Sequence, residues 1–182
     1  MSRWFAAASA TLVFVAGIAM AQTHQPYAGQ ETRDVKALSP QQMDDLRAGR
    51  GMGLALAAEL NGYPGPMHVL ELADRLSLDR TQKERIEALL AAMRREAIEA
   101  GERLIAAEAA LDRQFAERRI TEASLAEGTQ SVAALQGELR ATHLRYHLAT
   151  VEILNPAQVA RYSELRGYTG ATGRDGHRHR RH

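Results

Sequence analysis

The 182-residue chain has no cysteine, which removes a disulfide framework, a thiolate metal site and a cysteine nucleophile from consideration together. Stability has to come from packing or association. Aromatic residues make up 5% of the chain, while alanine, leucine, glutamate and arginine dominate, a composition that favours helices over sheets. Neither sign of charge prevails, with 23 Lys and Arg against 22 Asp and Glu, so no large basic face announces nucleic acid. The chemistry of an enzyme is missing too. No carboxylate pair lies in a recognisable cleft context, and Ser124 and Ser131 sit in helical sequence without a nucleophile elbow. Gly49-Arg50-Gly51-Met52-Gly53 has no preceding strand and no following Lys-Ser/Thr pair, so it fails as a phosphate loop and reads as a flexible break. An enzyme is not expected.

Long apolar runs are also absent, with one exception at the start. Arg3 precedes an apolar stretch from Trp4 to Met20, followed by Ala19-Met20-Ala21 and the polar Gln22. A positive start, a short apolar run and small residues at the −3 and −1 positions make a secretory signal over 1–21, cleaved after Ala21. The alternative is an uncleaved N-terminal anchor, since the run approaches the ~20 residues that span a bilayer. At the other end, residues 169–182 finish in His177-Arg178-His179-Arg180-Arg181-His182. With almost no large apolar side chain, this stretch cannot offset its ordering entropy and reads as a disordered basic tail. Residues 22–37 are expected to be a flexible lead-in and 38–168 a single domain in an exported protein.

What the chain does have is a short leucine-led motif in three copies: Leu38-Ser39-Pro40-Gln41-Gln42, Leu78-Asp79-Arg80-Thr81-Gln82 and Leu154-Asn155-Pro156-Ala157-Gln158. In each, a short polar residue stands where an N-cap accepts a backbone N–H, and a glutamine three residues on reaches back to the cap's own N–H. Pro40 and Pro156 occupy the first helical position, where a missing N–H costs nothing. The motif therefore starts helices and carries no chemistry.

After Asp79, apolar residues fall at Ile86, Leu90, Met93, Ala97, Ala100, Leu104, Ala107 and Leu111 in steps of four and three, a heptad seam running to about Phe115. Thr121 then caps a second run through Leu125, Gly128, Val132, Leu135, Leu139, Thr142, Tyr146, Ala149 and Ile153. Two helices of matching length joined by a few residues are expected to fold back antiparallel. Upstream, short helices are expected over Pro40–Ala48, Leu54–Leu60 and Met67–Arg75. The fold class is thus all-α, a long helical hairpin with short N-terminal helices.

Apolar residues off the seam need a cover. Ile98 and Ile105 on the first long helix and Leu144, Leu148 and Val151 on the second face the N-terminal helices, a second subunit or a client. Gly101, Gly128 and Gly137 each cost up to ~1 kcal/mol inside a helix, and either permit close approach or are simply tolerated. His143 and His147, four apart, place their rings on one helix face, a spacing that chelates one metal ion or leaves two exposed histidines. Met67, His68 and Glu71 are the nearest sequence candidates to complete such a site, with Met52 as a soft ligand.

The exported all-helical chain with its long hairpin and flanking L-T-x-x-Q-like motifs resembles the Spy/CpxP family of small periplasmic proteins, which includes CnrX-type metal sensors and ZraP-type zinc-binding chaperones. Leu78, Asp79 and Gln82 match the family's first motif, and Leu154, Asn155, Pro156 and Gln158 the second; Asp79 and Asn155 replace the family's threonine. The resemblance implies a cradle-shaped homodimer that binds unfolded or partly folded periplasmic proteins on a concave surface without ATP or any required cofactor. Ile98, Ile105, Leu144 and Leu148 are the client-binding candidates. The alternative is a heavy-metal sensor or scavenger taking Zn, Cu, Ni or Co on His143, His147 and His68, coupled to an envelope signalling protein. The upstream His-x-x-x-His of metal-sensing relatives is absent.

Overall fold

A computed structural model describes residues 27–168. The signal segment and the basic tail lie outside the described residues. Among these residues the fold is all-helical: after a short 3-10 turn at Gln30–Thr32 come α1 (Pro40–Arg47), α2 (Leu56–Glu59), α3 (Pro66–Glu71), α4 (Arg80–Ala116), α5 (Glu122–Val151) and α6 (Pro156–Leu165). No described helix is long and apolar enough to cross a membrane. The expected helices over Leu54–Leu60 and Met67–Arg75 shrink to one or two turns, because the first starts only after the left-handed turn at Met52 and Gly53 and the chain turns away after Glu71 toward Leu78.

All three leucine-led motifs form complete capping boxes, at Ser39, Asp79 and Asn155, and Thr121 forms a fourth with Ser124. Each satisfies backbone donors that a helix start leaves orphaned, at about 1 kcal/mol apiece. The long helices differ somewhat in length, 37 residues for α4 and 30 for α5. At 1.5 Å per residue α4 is about 55 Å long. The two pack along most of their length. Glu96 meets Arg145 and Tyr146, Arg103 meets Glu138, and Leu111 nears Gly128, so partners advance along α4 as they recede along α5. The Tyr146 hydroxyl donates to Glu96 at 2.6 Å and, with Arg145, holds that carboxyl below its ordinary range. These charged pairs tie the helices across their seam, though exposed pairs of this kind contribute little each.

Two hydrophobic cores lie along the pair. The first joins Val35, Met43 and Leu46 to Ala97, Ala100, Leu104 and Ile105 of α4 and to Val132 and Leu139 of α5. Here α1 lies directly on α4: a Cβ at Gly101 would stand 2.6 Å from the Leu46 carbonyl oxygen, so only glycine permits this approach. Gly137, by contrast, faces open space. Within the lead-in expected to be flexible, Val35 is buried in this core and Lys36 pairs with Asp112 at 3.2 Å. The second core gathers Val69, Leu76, Leu78, Ile86, Ile153, Leu154 and Tyr162.

Above that second core, two motif copies lock together. Gln82 Nε2 donates to Gln158 Oε1 at 2.9 Å and to the Ile153 carbonyl, while Gln158 Nε2 donates to Gln82 Oε1 at 3.0 Å and to the Leu76 carbonyl. Each amide oxygen also closes its own capping box. The motif, expected only to start helices, therefore also joins the start of α4 to the start of α6.

Candidate functional site

Between the two cores, the chain from Ala48 to His68 folds over the α4–α5 seam and leaves a half-open cavity of about 620 Å³. Its floor is Leu90, Met93, His143 and His147 from the long helices, and its cover comes from Met52, Leu56, Met67 and the glycine-rich segment. That segment is not a loose break. Gly49 and Gly53 have positive φ, as does Met52, and a Cβ at Gly49 would lie 3.0 Å from the Arg94 carbonyl oxygen. Glycine there lets the backbone lie on α4 and shape the cavity wall.

His143 and His147 line this cavity, and both are buried, at 2% and 8% exposure. Exposed helix histidines are therefore ruled out. His147 Nδ1 approaches the Tyr63 carbonyl oxygen at 2.6 Å, which requires Nδ1 to carry the proton. In the neutral ring Nε2 then keeps its lone pair. The same ring sets the residue at position 65, since a Cβ on Gly65 would lie 2.8 Å from His147 Cε1 and Nε2. His143 Nε2 is buried with no hydrogen-bond partner. Burial, reinforced by the neighbouring His147, pushes the His143 pKa down and favours its neutral form.

Glu59 closes one end of the cavity. It is 7% exposed, and its carboxylate accepts from the hydroxyls of Tyr162 and Tyr168, the latter at 3.0 Å, and from the Gly65 N–H at 3.2 Å. Arg166 Nε lies 3.6 Å away and His147 Nδ1 3.8 Å away. Burial and the Glu59 carboxylate push the Tyr162 hydroxyl well above its ordinary range, so it remains a donor. This hub ties α2 to α6 and supports the wall behind His147. The sequence held one signal for it: Glu59 is a lone carboxylate in an otherwise apolar Leu54–Leu60 stretch.

The sequence candidates scatter around this site. His68 lines the cavity, but its Nδ1 is engaged with Glu71 at 2.9 Å. Among the described residues no three His, Cys, Asp or Glu side chains converge as a metal shell, so His68 does not join the His143 and His147 pair. Of the client candidates, Leu148 is 55% exposed, Ile98 is partly exposed beside Gly49, and Leu144 is half-buried. Ile105 is withdrawn into the first core, because α1 covers that stretch of α4. The larger apolar exposure lies where sequence periodicity is silent, on Met52, Leu56, Leu60, Tyr63 and Met67 of the covering segment. No family model, no curated protein and no solved structure matches the chain.

Proposed function

We propose that this chain is an ATP-independent periplasmic holdase of the Spy/CpxP type, its long helices an antiparallel hairpin that pairs with a second copy to form a cradle for partly folded proteins. The observation that carries this reading is the apolar exposure of the segment from Met52 to Met67, beside the exposed Leu148 on α5. Soluble proteins seldom leave such patches without a partner. Methionine and leucine on an open surface give weak, adaptable contacts that suit many clients. The test is light scattering of a heat-aggregating client with the chain from Gln22 onward and no nucleotide. Suppression of aggregation is expected, and Leu60→Ser/Leu148→Ser is expected to lose most of it while keeping the helical circular dichroism. Unchanged aggregation at molar excess of the wild-type chain defeats the reading.

A second reading, a metal sensor or scavenger, is favoured by the imidazole pair: His147 presents an Nε2 lone pair fixed by its carbonyl partner, and His143 Nε2 has no partner. Methionine sulfurs of Met52, Met67 and Met93 line the same cavity and suit soft ions. Calorimetric titration of Zn(II), Cu(II) and Ni(II) into the chain ending at Tyr168 tests it. Binding of ~8 kcal/mol or more that vanishes in His143→Ala/His147→Ala supports the sensor, and no heat of binding removes it.

A further inference from the structure

We propose that the cavity beneath the Met52–Met67 segment is a binding site for a small amphipathic carboxylate, a molecule with an apolar body and one negative head. Its volume, about 620 Å³, falls within the ~300–1,000 Å³ range of pockets that enclose small organic ligands. Met52, Leu56, Met67, Leu90 and Met93 supply an apolar lining that three thioethers make adaptable in shape. The buried rings of His143 and His147 complete the lining on the α5 side.

The charge of the head follows from the cations in the lining. Arg50 is paired with Asp45 at 2.6 Å, and Arg166 stands 3.6 Å from Glu59. Arg94 lines the cavity and makes no ion pair among the described residues. Glu59, the one carboxylate in the lining, already accepts from two tyrosine hydroxyls and a backbone N–H, so it offers little to a cationic head. An anion beside Arg94 with its apolar body over Met93 balances both the charge and the lining. The holdase reading draws on the same Met52–Met67 segment, but its test is read at Leu60 and Leu148, side chains that do not line the cavity, so the two can fail separately.

The probe is 1-anilinonaphthalene-8-sulfonate, an apolar anion that fluoresces when withdrawn from water, titrated into the chain from Gln22 onward in EDTA. Saturable one-site binding is expected, with decanoate displacing the dye at least about tenfold more effectively than decylamine, a difference of ~1.4 kcal/mol. Met67→Trp, which fills the mouth, and Arg94→Glu, a change at an exposed side chain, are each expected to weaken dye binding about tenfold or more, while Leu60→Ser leaves it unchanged. Absence of saturable binding overturns the proposal. So does binding that survives both Met67→Trp and Arg94→Glu, equal displacement by the two amphiphiles, or loss in Leu60→Ser, which would place the dye on the client surface instead.

Discussion

Helices α1 and α6 begin with the same local device, a short polar cap, a proline at the first position and a glutamine three residues after the cap, yet the fold holds them in opposite ways. Gln42 closes the Ser39 box and makes no bond beyond it among the described residues, and α1 is held by close apposition to α4 at Gly101. Gln158 closes the Asn155 box and then crosses to Gln82 and the Leu76 carbonyl, while Tyr162 of the same helix reaches Glu59. One end is fixed by steric fit and the other by buried polar groups. Local sequence that starts a helix does not say what the helix will be attached to.

The sharpest way to break this contrast is at Gly101. Gly101→Leu forces a side chain into the Leu46 carbonyl and is expected to lift α1 from α4, costing about 3 kcal/mol in urea denaturation. At the α6 end, Gln158→Ala takes one partner from the Gln82 amide, opens the Asn155 box and leaves the Leu76 carbonyl without its side-chain donor, for an expected loss of about 2 kcal/mol. A double-mutant cycle with Gln82→Ala is expected to return a coupling of roughly 1 kcal/mol; additive single effects would show that the two caps act separately. Tyr162→Phe removes a donor from the buried Glu59 carboxylate and is expected to cost about 1.5 kcal/mol. The matched control on α1, Gln42→Ala, loses only a reciprocal cap bond and is expected to cost about 0.5 kcal/mol. A loss at Gln42 equal to that at Gln158 would erase the distinction.

The smallest effect concerns pH. Burial lowers the folded pKa of His143 below its ordinary value, so between the two values the unfolded chain binds the proton more readily than the folded one. The neutral ring's contribution is therefore fully present above about pH 6.5 and is lost as pH falls from there through the lower folded value. Thermal melts from pH 7 to pH 5 are expected to show a steeper decline for the wild type than for His143→Leu, and parallel declines would remove His143 as the source.

Much of the architecture was legible because its causes are local. Capping at Ser39, Asp79, Thr121 and Asn155 depends on side chains within three residues of each helix start, and the seam from Ile86 to Leu104 repeats with the pitch of the helix itself. The site was only half legible. The spacing of His143 and His147 put both rings on one face, but whether that face met water depended on a covering segment from another part of the chain. Periodicity had no purchase on Ala48–His68, where short helices and left-handed turns replace a repeat, and it left Ile105 with three possible covers, of which α1 is the one that lies there.

By itself, the sequence determined the helical class, where the long helices begin, and the exclusion of disulfides and thiolate chemistry, since these follow from composition and from bonds within one turn. Only the tertiary structure decided that Gln82 and Gln158 share one amide pair, that Gly101 is needed while Gly137 faces open space, and that Glu59, His143 and His147 come together around a cavity. Those outcomes depend on which surfaces meet across dozens of residues, where a difference of an ångström separates contact from collision, and no local pattern encodes that distance.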